Sequence, residues 1–396
     1  MAAIRAALIR TIPLIIVGSL PLILINLPVE SWAEFMAPYA PKLNVLYSMS
    51  FGFISLWLAI SLGSELAKMY EELDPVMSSV VVVCCYLITV EPINLETGAL
   101  GTTGLSAKGM FTLFLIGIIV IEFMHFCYKH NIVIRMPKSV PPNIAQSFAS
   151  LLPMAILLIA FWFLRVVVGF DLTSLINTII SPLLSVTDTW YAAFISVLLL
   201  QLLWFVGIHG GSFTIWGVMY PFLLANISEN AVAAAAGNPI PHILTEPFFY
   251  SWTMIGGVGC TLPLVFFWWK SKSSTLREVA RVSTVPGIFC INEPVMFGVP
   301  IVLNPIMFIP FVFVPVINAI IGYFATSWGL VNHLVVLNSG VEPIFVNAWV
   351  LGAFTLSPVI LCIVLFILDL VLYYPFVKLQ IKQNTLEAQN EGAAVE

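Results

Sequence analysis

A chain of 396 residues that is 60% hydrophobic and only 9% charged, with a mean hydropathy of +1.03, does not belong among ordinary soluble proteins, in which about 25% of residues are charged. The charge deficit runs over the whole length and predicts a polytopic membrane protein embedded in a lipid bilayer. No basic run with interleaved aromatic residues accompanies the net charge of -5, so we expect no nucleic-acid partner. The six cysteines form no CxxC pair, which argues against a disulfide framework and a metal site.

The N-terminal segment places Arg5 and Arg10 before an apolar run that has no small-residue cleavage site. It is predicted to be a first spanning helix that starts in the cytoplasm. Later apolar segments each approach the roughly 20 residues that a bilayer core requires. These segments lie near 43–66, 76–92, 110–128, 147–170, 190–208, 250–269, 301–325 and 342–376. The sequence therefore predicts an all-α polytopic membrane protein with about ten transmembrane helices.

Basic clusters orient these segments. Placing every cluster inside satisfies the positive-inside rule and puts both termini in the cytoplasm. The span at 190–208 and the span at 250–269 must then both head inward, so an extra crossing or its equivalent lies between them. The same count of membrane crossings requires residues 284–300 to enter the membrane from the cytoplasm and return to the cytoplasmic side. Both stretches are rich in proline, glycine and polar residues, and we expect two re-entrant hairpins there. The clusters are Arg5 with Arg10; Lys68; Lys129 with Arg135 and Lys138; Lys270, Lys272, Arg277 and Arg281; and Lys378 with Lys382.

The stretch 290–310, CINEPVMFGVPIVLNPIMFIP, combines Asn292 and Glu293 with prolines at membrane depth. Irregular backbone survives in a membrane only where protein buries it or where it lines a water-filled cavity. We interpret the stretch as the second hairpin, with Asn292 and Glu293 at its tip. The alternative is a proline-kinked spanning helix that has Glu293 at its cytoplasmic end.

Glu293 is the first candidate for binding a solute, because a carboxylate within a membrane is a functional hypothesis by default. A carboxylate accepts hydrogen bonds from neighbouring sugar hydroxyls, and the Asn292 amide can donate and accept at once. The structural alternative for Glu293 is a helix cap or a salt bridge to Arg277 or Arg281.

His209 is the second candidate. It stands in FVGIHGGSF, where flanking glycines let the backbone approach a ligand closely. A neutral imidazole can donate to one group and accept from another. The alternative is a histidine whose hydrogen bonds are satisfied inside the helix bundle.

Aromatic and amide side chains near His209 complete the predicted site. Trp204 and Gln201 precede it, and a sugar face packs well on an indole ring, although membrane proteins also carry many interfacial tryptophans. We predict that Glu293, His209, Asn292, Trp204 and Gln201 bind substrate, with no metal site and no catalytic residue. Weaker candidates are Trp216, Trp252, Asn44, Glu246, Asn338 and Glu342.

A polar linker at 130–146 suggests a domain boundary. We place a first block at 1–140, with about five spans, and a second at 141–379, which holds both hairpins. The polar tail 380–396 is predicted to be disordered.

Four stretches resemble the EIIC sugar permeases of bacterial phosphotransferase systems, in the lactose, cellobiose and diacetylchitobiose family. They are RTIPLIIVGSL near the start, L-x-K-x-Y-x-x-L-D-P at 66–75, GIHGG at 207–211 and INEPVMFGVPIVLNP at 291–305. The resemblance covers nearly the whole chain, and the last motif is highly specific. The match to the cellobiose and chitobiose branch is the strongest.

The resemblance implies a bacterial plasma-membrane homodimer, in which 1–140 is a dimerisation domain and 141–379 a transport domain that moves like an elevator. It implies that His209 and Glu293 bind a β-linked disaccharide, and it carries the Asn-Glu-Pro motif over to 292–294. A separate, phosphorylated EIIB protein would supply the phosphoryl group, so this chain is expected to be a transport subunit without a cofactor rather than an enzyme. Family chains usually begin with a cytoplasmic stretch absent here, which suggests a truncated or differently started form.

Two other functions are compatible with the residues. An ion-coupled symporter would use His209 and Glu293 as a proton relay, and a membrane receptor or assembly protein would not transport at all. No GxxxxGK[ST] sequence is present, so ATP-driven pumping is not indicated. If His209 must be neutral to bind, sugar affinity should weaken in acid. The sequence does not distinguish chitobiose from cellobiose or lactose.

Overall fold

A computed structural model describes residues 2–25, 30–90, 101, 103–137, 140, 142–299, 301–337 and 342–395. Within these ranges the chain forms helices and turns and has no strand, so the predicted all-α class is confirmed. The candidate Asn338 lies outside the described residues.

The described residues contain 17 α-helices. The first eight are α1 (Ala2–Ile25), α2 (Glu30–Met36), α3 (Ala40–Met49), α4 (Ile54–Ala67), α5 (Pro75–Val90), α6 (Met110–Lys129), α7 (Pro142–Trp162) and α8 (Leu172–Thr187). The others are α9 (Trp190–Phe205), α10 (Tyr220–Ala235), α11 (Glu246–Thr253), α12 (Leu262–Trp268), α13 (Ser274–Ile288), α14 (Glu293–Gly298), α15 (Pro305–Ser327), α16 (Ile344–Leu351) and α17 (Leu356–Val395).

Five helical segments in the described part of the chain are long and apolar enough to cross a membrane. A sixth would be counted if the bent pair α8 and α9 formed one span. The predicted number of about ten spans therefore stays a prediction. The five are Ala40–Ala67, Ala107–Lys129, Phe148–Val167, Pro305–Ser327 and Leu356–Asn384.

The chain divides into two compact units. Unit 1 comprises residues 1–22 and 38–185, and unit 2 comprises 23–37 and 186–396. The division between the units falls between 185 and 186, in the last turn of α8. The boundary that the linker composition suggested between 140 and 141 stays a prediction.

Small residues bring the helices of unit 1 close together. A Cβ added at Gly63 of α4 would lie 2.7 Å from the Cα of Ser79 on α5, and the Ser79 hydroxyl donates to the Ile60 carbonyl at 2.9 Å. The Ser61 hydroxyl donates to the Ala7 carbonyl at 3.1 Å and joins α4 to α1. Such close backbone approach is typical of packing between membrane helices, where small residues replace a hydrophobic driving force.

In unit 2, α9 and α15 pack antiparallel. The Leu303 amide donates to the Phe205 carbonyl at 3.0 Å, where α9 ends and α15 is about to begin. At the other end the Tyr323 hydroxyl donates to the Asp188 carbonyl at 3.2 Å. The loop after α9 and the segment before α15 therefore lie at one end of this helix pair, and Asp188 lies at the opposite end.

The predicted span at 250–269 is not continuous, and this corrects the sequence prediction. α11 ends at Thr253 and α12 begins at Leu262, while three intervening glycines have φ of +79°, +95° and +81° and Cys260 has φ of +53°. Left-handed φ values interrupt a right-handed helix, and glycine adopts them at little steric cost. We call residues 254–261 the break, and α11, the break and α12 together the broken helix.

The predicted span at 342–376 is divided as well. α16 ends at Leu351 and α17 begins at Leu356, with Ala353 and Phe354 at φ of +50° and +60° between them. Both interrupted segments are predominantly apolar, so hydropathy could not locate the interruptions.

The stretch 290–310 is not one kinked helix. Cys290 has φ of +61°, the six-residue helix α14 follows, and the chain becomes helical again only at Pro305. The chain beyond Gln380 also differs from the sequence prediction, because α17 continues through Val395 where composition suggested disorder. Leu, Gln, Lys, Glu and Ala in this tail are good helix formers, which allow the preceding helix to propagate.

Candidate functional site

His209 lies in a tight loop just beyond the end of α9. Gly207 has φ of +83°, and His209 caps a short 3-10 turn at Gly210–Ser212. The Ser212 amide donates to His209 Nδ1 at 3.3 Å, and the Ser212 hydroxyl lies 2.9 Å from the same atom. The imidazole is exposed. The backbone therefore holds a histidine whose Nδ1 is occupied and whose Nε2 remains for a ligand.

Two tryptophans flank this histidine. The Trp204 ring lies 4.7 Å from the His209 ring, measured between centroids. A Cβ at Gly211 would lie 2.5 Å from the Trp216 ring, so glycine at this position lets the indole cover the loop. The structure thus brings Trp204, Trp216 and His209 together, as their spacing suggested.

The last turns of α9 carry hydrogen-bonding groups that are not satisfied. Gln201 is fully buried, and within the described chain neither its amide nitrogen nor its amide oxygen has a hydrogen-bond partner. The Trp204 indole Nε1 is also buried without one among the described residues. Gln201 and Trp204 are three residues apart and share a helix face. Buried polar groups are nearly always bonded, so this cluster requires an explanation.

Glu293 begins α14 and is exposed. Among the described residues, no hydrogen bond or salt bridge engages its carboxylate. The alternative of a salt bridge to Arg277 or Arg281 is wrong: Arg281 pairs with Glu278 at 2.6 Å, and Arg277 donates to the carbonyls at 271 and 272. A charged acceptor therefore faces outward at the start of a short helix.

Asn292 has a different environment from Glu293. Its side chain is buried, and its amide nitrogen donates to the Val258 carbonyl at 2.7 Å and to the Thr261 hydroxyl at 2.9 Å. Both N–H groups of the amide are used within the protein. The predicted pair of neighbours thus separates into one outward carboxylate and one inward amide.

The antiparallel packing of α9 and α15 relates the two candidate stretches. His209 follows α9 directly, and the chain leading from Glu293 enters α15 beside it. A Cβ at Gly207 would lie 3.7 Å from the Val302 side chain. No hydrogen bond or ion pair joins His209 and Glu293 in the described chain. The segment between Glu293 and α15 lies against the end of α9 from which the His209 loop starts.

Two weaker candidates are buried and a third, Glu342, is half-buried. Trp252 and Glu246 are buried on α11. Glu342 accepts from the Asn347 side-chain amide nitrogen at 3.4 Å, and the Ser251 hydroxyl donates to Asn347 Oδ1 at 3.3 Å. The second contact joins α11 to α16.

A charged cluster at the opposite end of unit 2 was not predicted as a unit. His242 Nδ1 lies 3.1 Å from Asp188 and its Nε2 lies 3.0 Å from Glu229. The Asp188 carboxylate also accepts from the amides of Ile243 and Leu244. We call Asp188, Glu229 and His242 the clasp. The three residues are far apart in sequence, and only their polarity within an apolar chain could have drawn attention to them.

Hydrogen bonding keeps His242 charged. Burial alone would lower its pKa, but the hydrogen bonds to Asp188 and Glu229, together with their negative charge, outweigh burial and raise the pKa to about 9. The clasp therefore holds an imidazolium between two carboxylates at neutral pH.

Comparison with known proteins identifies the family. A family model described as phosphotransferase system, EIIC, matches residues 5–315, most of the chain, including both candidate stretches. The chain belongs to the EIIC family. As an EIIC protein it is the sugar-transporting membrane component of a phosphotransferase system, and the predicted family membership is confirmed.

Two relatives of this EIIC are similar along nearly their full length. The cellobiose-specific EIIC component of Geobacillus stearothermophilus is 32% identical over 419 residues, which cover 98% of this chain and 91% of the relative. The oligo-beta-mannoside-specific EIIC component of Bacillus subtilis (strain 168) is 31% identical over 408 residues, covering 99% and 92%.

A solved structure is also similar. The crystal structure of ChbC, the IIC component from the N,N'-diacetylchitobiose-specific phosphotransferase system, matches with a TM-score of 0.90 and 32% identity. The match covers 98% of this chain and 95% of that chain.

Proposed function

We propose that this EIIC binds a β-linked disaccharide of the cellobiose or diacetylchitobiose type and carries it to the cytoplasmic side for phosphorylation by an EIIB partner. The relatives named above are specific for cellobiose, oligo-β-mannosides and diacetylchitobiose. A homodimer whose transport domain moves like an elevator, with both termini in the cytoplasm, is part of the same proposal.

One observation carries the assignment of the site. Gln201 and Trp204 leave buried hydrogen-bonding groups without a described partner, beside the exposed imidazole of His209. A sugar supplies both hydroxyl donors and acceptors, so it can bond to the exposed imidazole, and to the buried amide and indole N–H where it displaces the groups that cover them. An aromatic ring beside those groups also suits the apolar face of a pyranose.

Glu293 supplies the charged contact in this proposal. Its carboxylate is exposed and is not paired with either neighbouring arginine. Two adjacent hydroxyls of one pyranose can donate to the two carboxylate oxygens, and hydrogen bonds to a charged group are worth about 1.5–3 kcal/mol. Such a contact selects sugars by hydroxyl arrangement.

The test is binding of cellobiose and N,N'-diacetylchitobiose to the purified protein by calorimetry. We expect Glu293→Gln to weaken binding of the better ligand by about tenfold or more, because it replaces a charged acceptor with a neutral amide. Glu278→Gln, which alters an exposed glutamate of α13, is the matched control and should bind normally. Equal affinity of Glu293→Gln and the parent protein would remove Glu293 from the site.

Uptake distinguishes group translocation from ion-coupled symport. In cells that lack the phosphotransfer proteins, this EIIC should not concentrate unmodified disaccharide. Accumulation of free sugar that collapses with a proton uncoupler would replace the proposal with a symporter.

A further inference from the structure

In the break of unit 2, backbone carbonyls lack the hydrogen bonds that a continuous helix would have given them. Every residue from 254 to 261 is buried. An unsatisfied carbonyl in such surroundings is energetically unfavourable. Each of these carbonyls therefore requires a hydrogen-bond donor from elsewhere in the protein.

Six successive carbonyls of the break have identifiable donors. Three accept from amides within the broken helix: those of Met254, Ile255 and Gly257, at 2.9, 3.3 and 3.0 Å. The other three accept from side chains: Gly256 from the Thr261 hydroxyl at 2.8 Å, Val258 from the Asn292 amide at 2.7 Å and Gly259 from the Tyr373 hydroxyl at 2.5 Å. The break is thus held by two distant side chains, one of which directly precedes Glu293.

Gly257 fits closely against Asn292. Its φ is +95°, and an added Cβ would lie 2.4 Å from Asn292 Cγ and 2.7 Å from Asn292 Oδ1. The amide carbon and oxygen therefore rest on the Gly257 Cα while the nitrogen makes its two bonds. The Asn292 side chain is 6% exposed, in contrast with the exposed Glu293.

We propose that Asn292 is a positioning residue, which fixes the start of α14 to the break so that Glu293 faces the sugar, and that its amide does not itself bind the sugar. Both of its N–H donors are already used, so it cannot donate to a ligand without losing the Val258 carbonyl or the Thr261 hydroxyl. Tyr373 of α17 supports the other side of the break in the same way. The inference rests on the proposed sugar site at Glu293.

The first experiment reports on position without any sugar. Hydrogen–deuterium exchange of the amides at 293–299 is measured in the full-length protein in detergent micelles. We expect Asn292→Ala and Gly257→Ala each to raise exchange there by about tenfold or more, because the first removes the link and the second displaces it. Gly287→Ala is the control, since its methyl group would meet only a Leu262 side chain, at 3.5 Å. Unchanged exchange in both variants would overturn the proposal whether or not sugar binds.

The second experiment uses cellobiose, N,N'-diacetylchitobiose and analogues of the better ligand that each lack one hydroxyl. A positioning role predicts that Asn292→Ala lowers the affinity for the parent sugar and for every analogue by a similar factor. It also predicts that Thr261→Val and Tyr373→Phe weaken binding, although neither alters Asn292, whereas Tyr374→Phe binds normally. If Asn292→Ala left the affinity for one analogue unchanged, Asn292 would be a direct ligand of the hydroxyl that this analogue lacks. If Thr261→Val and Tyr373→Phe bound sugar like the parent protein, the positioning role would be overturned.

The two experiments separate the possible failures. If no disaccharide binds the parent protein, the proposed function fails while the exchange result still decides the role of Asn292. If Asn292→Ala does not fold, the size-conserving Thr261→Val replaces it in the exchange and binding measurements, under the same criteria.

Discussion

The proton of His209 is placed by a backbone amide. The Ser212 N–H can only donate, so His209 Nδ1 must accept and a neutral imidazole carries its proton on Nε2. The exposed nitrogen is then a donor, which suits a hydroxyl or N-acetyl oxygen of a sugar.

This tautomer predicts an order among His209 variants. We expect His209→Gln, whose amide nitrogen can occupy the place of Nε2, to retain more affinity than His209→Asn, whose shorter side chain reaches only the place of Nδ1. His209→Ala should lower the affinity for the sugar by about tenfold or more. Calorimetry with the better of cellobiose and N,N'-diacetylchitobiose measures the order, and a better-binding Asn variant would assign the contact to Nδ1.

Among the elements of the fold, the clasp joins three pieces of unit 2 that are separate in sequence. Asp188 precedes α9, Glu229 belongs to α10 and His242 lies in the loop before α11. The Asn230 side chain adds bonds to the His242 backbone at 2.8 and 2.9 Å. These contacts fix the loop that carries His242 at the end of unit 2 away from His209.

The clasp gives stability a defined pH dependence. Folding raises the pKa of His242 from 6.5 to about 9. The contribution of His242 to the free energy of unfolding is therefore complete below about pH 6.5 and is lost as the pH rises through about 9. A shift of this size corresponds to roughly 3 kcal/mol. We expect Tm to fall across that window, and His242→Gln to have a lower Tm at pH 6.5 with a flatter profile.

Thermal unfolding in detergent at several pH values measures this dependence. His130→Gln, an exposed histidine at the end of α6, is the control and should keep the slope of the parent protein. A His242→Gln profile as steep as that of the parent would assign the pH dependence to another group. His333, whose pKa is lowered by burial despite the nearby Asp188 charge, would be the next to test.

The contact between α4 and α5 depends on the absence of a side chain. A methyl group at Gly63 would lie 2.7 Å from the Ser79 backbone. Alanine normally stabilises a helix interior by about 0.5–1 kcal/mol relative to glycine, but overpacking costs about 1–3 kcal/mol. We therefore expect Gly63→Ala to lower Tm by a few degrees, and Gly287→Ala to leave it unchanged or raise it. A Gly63→Ala protein as stable as the parent would show that the helices can separate at little cost.

For the whole molecule, the placement of the clasp and of the basic residues in unit 2 implies an orientation in the membrane that can be tested. α15 ends beside the clasp, and the basic residues before α13 belong to a cluster that we expect to be cytoplasmic. Trp328, which is 72% exposed and directly follows α15, should then lie outside, and Lys272 inside.

Single cysteines at these two positions provide the measurement. The six native cysteines are buried or half-buried, so a membrane-impermeant maleimide should label them little, and replacing them removes the remainder. We expect Trp328→Cys to react in intact cells and Lys272→Cys only after permeabilisation. The reverse pattern would invert the proposed topology.

Much of the candidate site follows from residues that are close in sequence. Trp204, His209 and Ser212 lie within three turns of chain, so their proximity was predictable from spacing, and the glycines around His209 predicted a tight loop. The role of Asn292 was not predictable in this way. Its partners Val258 and Thr261 lie 34 and 31 residues away, on a segment that hydropathy presented as a plain span.

By itself the sequence determined the all-α membrane class, the EIIC family and the residues whose chemistry suits a sugar, because hydropathy and short motifs are properties of neighbouring residues. The tertiary structure alone decided where the broken helix is interrupted, that Asn292 faces inward while Glu293 faces outward, and that His242 lies between two carboxylates. The physical reason is that buried polar groups must find partners. Those partners come from whichever distant segments the packing of helices brings within hydrogen-bonding distance.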